Sequence, residues 1–464
     1  MMQQDTICAI ATAQGGAIGV IRVSGPQSIA ITSKIFTPIS GKPLEERKNY
    51  SLTFGKILSD NGEIIDEVLV SVFRAPHSYT GEVSTEISCH GSSYILQQVI
   101  RLLIANGCRL AEPGEYTQRA FLNGKMDLSQ AEAVADLIAS SSAATHRLAM
   151  NQMRGGFSQE LSLLRDKLLH LTSLMELELD FSDHEELEFA DRTELTQIAN
   201  DIEKTVSRLA NSFSVGNAIK NGVPVAIIGE TNAGKSTLLN ALLNEEKAIV
   251  SDIHGTTRDV IEDTINLQGI TFRFIDTAGI RQTNDVVESI GIERTYQKME
   301  QANIILWMID GTGQADFEEL KAEILPYCEE KSLIILFNKA DKLTPGIRQI
   351  LSQSFSDIKA PKLFLSAKTR DSLDELETLL VKTAALPEVS QNDVIVTNIR
   401  HYEALSRALD SIHRVQDGLQ MQLSGDFVSQ DLRECLYHLA EIVGGEIGVE
   451  EVLGNIFKHF CIGK

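Results

Sequence analysis

Apolar and polar positions along the chain fall into four successive textures. Up to about residue 120 the apolar runs are short and broken by Gly and Pro turns. Gly19–Gly25 and Glu67–Phe73 have the strand-like pattern, and Tyr94–Ala105 repeats its apolar residues at helical spacing, so an α+β module is expected. From Leu128 to about Phe213, Ala, Leu and Glu dominate at helical spacing, with Gly155-Gly156 as the main turn signal. Long helices are expected there. Strand and helix signals alternate from Val223 to Leu386, the pattern of a parallel α/β sheet. Helical spacing returns after Pro387, over Ile399–Met421, Ser429–Val443 and Val449–Phe460.

The last texture is short for an independent core, because small domains bury too little of their surface. Pairing it with the helices before Phe213 is the simpler arrangement. The α/β region then becomes an insertion, which a domain with adjacent termini tolerates. The expected segments are 1–120, 121–218, 219–386 and 387–464.

Charge refines this picture. The formal charge is −22, which argues against unspecific binding to a polyanion. Residues 1–127 carry 11 Lys/Arg against 12 Asp/Glu, whereas 128–218 carry 7 against 15. The first segment is thus the least repulsive place for an anionic partner. No run of 18 apolar residues occurs, so no membrane span is expected. Met1–Thr12 lacks a basic stretch before its apolar residues, so a signal peptide is not expected either. Cys8, Cys89, Cys108, Cys328, Cys435 and Cys461 show no repeated spacing, which reads as a reduced, cytoplasmic chain.

The candidate chemistry sits at the ends of the inserted strands. Val223–Ile228 is a buried-strand pattern that runs into Gly229-Glu-Thr-Asn-Ala-Gly-Lys-Ser236 and then a helix from Thr237 to Leu243. This is the phosphate-binding loop in its strand–loop–helix setting. Backbone N–H groups of Asn232, Ala233, Gly234, Lys235, Ser236 and Thr237 are expected to cradle phosphate oxygens, with the helix dipole behind them. Lys235 suits the β/γ-phosphates, and Ser236 suits Mg²⁺. Asn338, Lys339, Ala340 and Asp341 follow a strand, and the Asp341 carboxylate can accept from the ring N–H and amine of guanine. Adenine would leave that carboxylate unpaired. Ser366, Ala367 and Lys368 suit the guanine O6. Asp276, Thr277, Ala278 and Gly279 end another strand, with the aspartate toward Mg²⁺ and the glycine N–H toward the γ-phosphate. Ser251, Asp252, Ile253, His254, Gly255, Thr256 and Thr257 form a loop able to cover the phosphates. Five motifs in order, each beside a strand end, predict a Ras-like GTPase domain.

Ile280 stands where Ras-like enzymes orient water with Gln, so hydrolysis needs another route. Asp285 and Glu288 are nearby carboxylates, and either is also an ordinary acid at a helix start. Charge stabilisation is open to Arg258, Arg281 or a monovalent cation held by Asn232 and carbonyls of Ser251–Thr257.

Over its whole length the sequence resembles the bacterial and organellar tRNA-modification GTPase family MnmE, also called TrmE. The marks are Gly81-Glu82, Gly114–Lys125, Asp127–Asp136 and the terminal Cys461-Ile-Gly-Lys464, beside the mid-chain phosphate loop. The resemblance implies a multidomain fold: an α+β N-terminal folate-binding-like domain that makes a homodimer, and an all-α helical domain interrupted by an inserted α/β P-loop GTPase domain. It implies work with the flavoprotein MnmG (GidA), in a heterotetrameric complex, on tRNA. The product carries an aminomethyl or carboxymethylaminomethyl group on C5 of the wobble uridine, position 34. Hydrolysis would be stimulated by K⁺ and by pairing of GTPase domains. Residue by residue, the family's K⁺ ligands match Asn232, Ser251, Ile253 and Thr256, and its Mg²⁺ ligands match Ser236 and Thr257. The catalytic glutamate matches Glu288 and the catalytic cysteine Cys461. Positions contacting 5-formyl- or 5,10-methylene-tetrahydrofolate match Arg22, Glu82, Lys125 and Lys464. On residues alone, Cys461 reads equally as a small apolar side chain between Phe460 and Ile462; a reactive thiol would need a nearby cation such as Lys464. Gly463 is not aliphatic, which argues against a lipid anchor. The alternative reading is a regulatory or ribosome-assembly GTPase without substrate chemistry.

Overall fold

The computed structural model describes residues 5–13, 15–59, 61–180, 192–230, 232–246, 263–275, 299–313, 317–329, 331–387, 390, 393–445 and 463. They fall into two compact units. The first draws on Met1–Ala139, Ala149–Ser207 and Glu403–Lys464, and the second on Ser140–Leu148 and Arg208–Tyr402.

The first unit contains a seven-stranded sheet. In chain order its strands are β1 (Ile7–Ile10), β2 (Ile18–Ser24), β3 (Phe36–Pro38), β4 (Ser51–Leu58), β5 (Ile64–Phe73), β6 (Ser84–His90) and β7 (Arg109–Leu110). They assemble in the order β3-β4-β5-β6-β2-β1-β7, with only β1 and β7 parallel. Alternation assigns the faces. Ile21, Val23, Val68, Val70, Val72 and Ile87 point to one side, where they pack with Leu96, Val99 and Leu103 of the helix Ser93–Ala105 and with Ile31 and Ile35 of the helix Ser28–Ile35. Arg22 and Glu86 are direct cross-strand partners on the opposite face. There the helix Glu115–Leu122 lays Tyr116 against Ile7 and Ala9. Further along that face, between β4 and β5, Leu52, Phe54 and Leu69 stay exposed.

The same unit holds the helices Leu128–Ala139, Gly156–Asp180 and Gly425–Val443 and most of the helices Arg192–Asn211 and Ile399–Gln420. Their buried residues follow a three-four rhythm: Leu161, Leu164, Leu168, Leu171 and Met175 in one, Leu405, Ala408, Ile412, Val415 and Leu419 in another. Such stripes give helix-bundle packing. Helices from either side of the insertion meet, since Gln416 Nε2 donates to Asn200 Oδ1 at 2.8 Å and Arg433 pairs with Glu176 at 2.7 Å. The late helices therefore complete the early ones. The expected helix Val449–Phe460 lies outside the described residues.

The second unit is a six-stranded sheet of β8 (Val223–Ile228), β9 (Asp263–Leu267), β10 (Ile270–Phe274), β11 (Ile304–Asp310), β12 (Ser332–Asn338) and β13 (Lys362–Phe364). The order is β13-β12-β11-β8-β10-β9, parallel except for the β9–β10 hairpin. Its strands read as continuous apolar runs because both faces are covered. One face packs Val225, Leu306, Met308 and Leu336 with Leu239 and Leu242 of the helix Lys235–Glu246 and with Leu376 and Leu380 of the helix Leu373–Ala384. The other packs Ile305, Trp307, Ile335 and Phe337 with Leu351 and Phe355. Where the chain enters and leaves this unit the two segments lie together. Val396 N donates to Ser212 Oγ at 3.0 Å, and the rings of Phe213 and Tyr402 stack at 4.6 Å. Adjacent crossings are what an insertion requires. The first unit is thus the α+β module plus helical bundle and the second the inserted α/β domain.

Candidate functional site

The phosphate loop is set by steric limits on its glycines. β8 ends at Ile228, and Gly229 follows at φ +142, where an added Cβ would overlap the Met308 carbonyl of β11. Gly234 sits at φ +102, with Asn338 Nδ2 in the space a Cβ would take. Only glycine satisfies both positions. Asn232 itself adopts the left-handed conformation at φ +68, which Asn tolerates better than most residues. The helix begins at Lys235, two residues earlier than the apolar spacing indicated, so Lys235 and Ser236 occupy its first turn. Lys235 Nζ donates back to the carbonyls of Gly229 at 2.6 Å and Glu230 at 2.8 Å. Its ammonium lies across the loop.

The opposite end of the site is organised by Asn338, the last residue of β12 and 4% exposed. Its Nδ2 donates to the Ala233 carbonyl at 2.7 Å, and its Oδ1 accepts from Ala367 N at 3.0 Å. One side chain thereby joins the phosphate loop to the Ser366–Lys368 loop. Ser366, Ala367 and Ala340 are buried, whereas Asp341 and Lys368 are exposed. Lys339, at φ +62, bonds Asp310 at the end of β11. Asp310 also accepts from the N–H of Thr312 at 2.9 Å and its hydroxyl at 2.7 Å. Burial pushes the Asp310 carboxyl up, but Lys339 and Thr312 outweigh it and hold its pKa below the usual value. Ile228, Asp310 and Asn338 all lie at the carboxyl edge of a parallel sheet, where such folds bind ligands.

A second polar constellation occupies the first unit. Arg22 reaches Glu86 at 2.9 Å, and its guanidinium carbon lies 5.3 and 5.6 Å from the ring centres of Tyr79 and Tyr116. Its Nη1 also lies 3.4 Å from the carbonyl of Gly463, whose φ of +95 and contact with the Ile10–Ala11 backbone leave no space for a side chain. Glu82 accepts from Ser24 Oγ at 2.7 Å and pairs with Arg119 at 3.1 Å. Lys125 runs its stem over Gly81 and donates from Nζ to the Pro76 carbonyl at 3.0 Å.

Residues 6–125 match the family described as GTP-binding protein TrmE N-terminus, and residues 128–461 match the MnmE helical domain. The tRNA modification GTPase MnmE of Phocaeicola vulgatus is 70% identical, with both chains covered completely. That of Bacteroides thetaiotaomicron is 68% identical and that of Flavobacterium johnsoniae 52%, again over the whole of both chains. The chain belongs to the MnmE family. It is therefore a GTP-binding GTP hydrolase, and the resemblance read from its motifs holds.

For this MnmE-family chain the structure brings together the first, fourth and fifth nucleotide motifs around Asn338. Ser251–Thr257, Asp276–Gly279 and Glu288 lie outside the described residues, as do Cys461 and Lys464. Two positions were not singled out from the sequence. Asp310 was signalled only by an acid closing the apolar strand Ile304–Ile309. Arg119 was signalled by its i,i+4 spacing from Glu115, a pair whose burial no sequence pattern reveals. Among the described residues no helix is long and apolar enough to cross a membrane.

Proposed function

We propose that the chain is a GTP-driven enzyme of tRNA wobble-uridine modification. The observation that carries the nucleotide half of this reading is the buried Asn338 bridge, which sets the phosphate loop beside an exposed Asp341. Asp341 then reads the guanine N–H edge, Lys368 flanks O6, and Lys235 turns from the loop carbonyls to the phosphates. The Gly229 and Glu230 carbonyls that accept from Lys235 keep its ammonium at the phosphate loop, which supports this role. Ser236 in the first helical turn, with Thr257, would hold Mg²⁺, which neutralises phosphate charge. Asn232, with its exposed side chain on a left-handed residue, would hold K⁺ together with Ser251, Ile253 and Thr256. Glu288 would orient the attacking water, in the place of the missing Gln.

In the first unit, Glu82 would face the pterin edge of 5-formyl- or 5,10-methylene-tetrahydrofolate, with Arg22, Lys125 and Lys464 completing the site. The fit rests on a half-buried carboxylate fixed by Ser24 and Arg119 and on the aromatic ring of Tyr79 beside Arg22. The exposed Leu52, Phe54 and Leu69 support a homodimer through this unit, since bare apolar sheet faces favour association. With the flavoprotein MnmG in a heterotetramer, the cytoplasmic protein would place an aminomethyl or carboxymethylaminomethyl group on uridine C5 of tRNA, with Cys461 in the chemistry.

The test is GTP turnover by the full-length chain in KCl and in NaCl at matched ionic strength. Stimulation by K⁺ supports a cation at Asn232 and pairing of GTPase domains; equal rates would remove both and turn attention to Arg258 or Arg281.

A further inference from the structure

A partly buried charge cluster lies around the helix Glu115–Leu122. The Arg119 side chain is only 9% exposed, yet it serves three carboxylates. Its Nη2 meets Asp5 Oδ1 at 2.7 Å and Glu115 Oε1 at 2.8 Å, and its Nη1 reaches Glu82 Oε1 at 3.1 Å and Oε2 at 3.3 Å. Arg109 serves the far side of the cluster, with Nε on Asp5 Oδ2 and Nη2 on Glu115 Oε1, each at 2.6 Å. Asp5 and Glu115 are thus shared by both guanidiniums, whereas Glu82 takes its cation from Arg119.

Two cations against three carboxylates leave one negative charge in surplus. Glu82 is the member least compensated, since Asp5 and Glu115 are each held by both guanidiniums and Glu82 by Arg119. Its side chain is 21% exposed, against 8% for Glu115 and 34% for Asp5, and the Ser24 hydroxyl also donates to it at 2.7 Å. With Nη1 spanning both carboxylate oxygens, the orientation of the Glu82 carboxylate is set by Arg119 and Ser24. A carboxylate so fixed suits a ligand edge with two adjacent N–H donors, as a 2-amino-4-oxopyrimidine ring presents.

We infer that Arg119 is a positioning residue, which aims the Glu82 carboxylate at the amino-pyrimidine edge of the ligand. This rests on the folate reading given above. Arg is needed for its planar fork, which meets three carboxylates at once; the ammonium of Lys keeps the charge without that geometry.

The experiment is calorimetric titration of the full-length chain with 5-formyltetrahydrofolate and with its 2-desamino analogue. The proteins are the wild type, Arg119→Lys, Arg109→Lys, Glu82→Gln and the Arg119→Lys/Glu82→Gln double variant. Both Lys variants retain the cluster's charge, and thermal unfolding records their structural cost separately. The wild type is expected to prefer the intact folate by about tenfold or more, the worth of a hydrogen bond to a charged group. Arg119→Lys should erase that preference, Arg109→Lys should keep it, and Arg119→Lys should add nothing in the Glu82→Gln background. A preference that survives Arg119→Lys, or that Arg109→Lys removes equally, overturns the positioning role while leaving the folate site in place. A wild type that binds neither compound overturns the folate reading and this assignment with it; a Glu82→Gln variant that discriminates normally overturns the assignment alone.

Discussion

Asn338 offers the sharpest test of how the nucleotide site is held together. Replacing it by Ala removes the donor to the Ala233 carbonyl and the acceptor for Ala367 N, at 2.7 and 3.0 Å, in a position 4% exposed. Each orphaned buried group costs about 1–3 kcal/mol, so the pair predicts roughly 2–6 kcal/mol. Asn338→Asp separates the two bonds. It keeps an acceptor for Ala367 N but sets an oxygen against the Ala233 carbonyl, so the phosphate-loop end should be the more damaged. Trp307, the single tryptophan and 1% exposed in the core of the GTPase domain, gives a domain-specific signal for urea unfolding. Titration with a fluorescent GTP analogue reports the site. Both substitutions should lower the Trp307 midpoint and weaken GTP binding. An Asn338→Ala protein with wild-type midpoint and affinity would refute the bridging role.

Two further outcomes follow from the same geometry. Asp341→Asn should shift preference from GTP toward xanthosine triphosphate, measured by competition binding, and an unchanged preference for GTP would sink the guanine assignment. The Asp310 carboxyl, held below its unfolded pKa by Lys339 and Thr312 against the opposing effect of burial, stabilises the domain above that unfolded value, near pH 4. That stability is lost as pH falls through the lower folded value. Acid unfolding followed at Trp307 should therefore begin at a higher pH in the wild type than in Asp310→Asn relative to each protein's neutral-pH stability; parallel acid profiles would show that the ion pair contributes nothing there.

Local sequence already carried much of this protein. Chain-local rules place glycines at Gly229 and Gly234, a lysine and a serine at the helix start, and strand ends before Asn338 and Ser366, because phosphate cradling needs backbone N–H groups that only such a turn exposes. The four textures likewise separated sheet from bundle, since period-two and three-four spacing are properties of short segments. Packing decided the rest. That Asn338 spends its amide on the protein's own backbone, and that Lys339 leans on Asp310, depends on β11 and β12 lying side by side. That Arg22 shares a face with Glu86 and two tyrosines depends on the register of β2 against β6, more than 60 residues apart. The partly buried meeting of Asp5, Glu82, Arg109, Glu115 and Arg119 gathers four chain segments, and no one segment shows a charge out of the ordinary. Sequence fixes which groups the chain owns and which local turns they make; only the assembled sheet and helices decide which charges lose water together, and therefore which of them are held in one orientation.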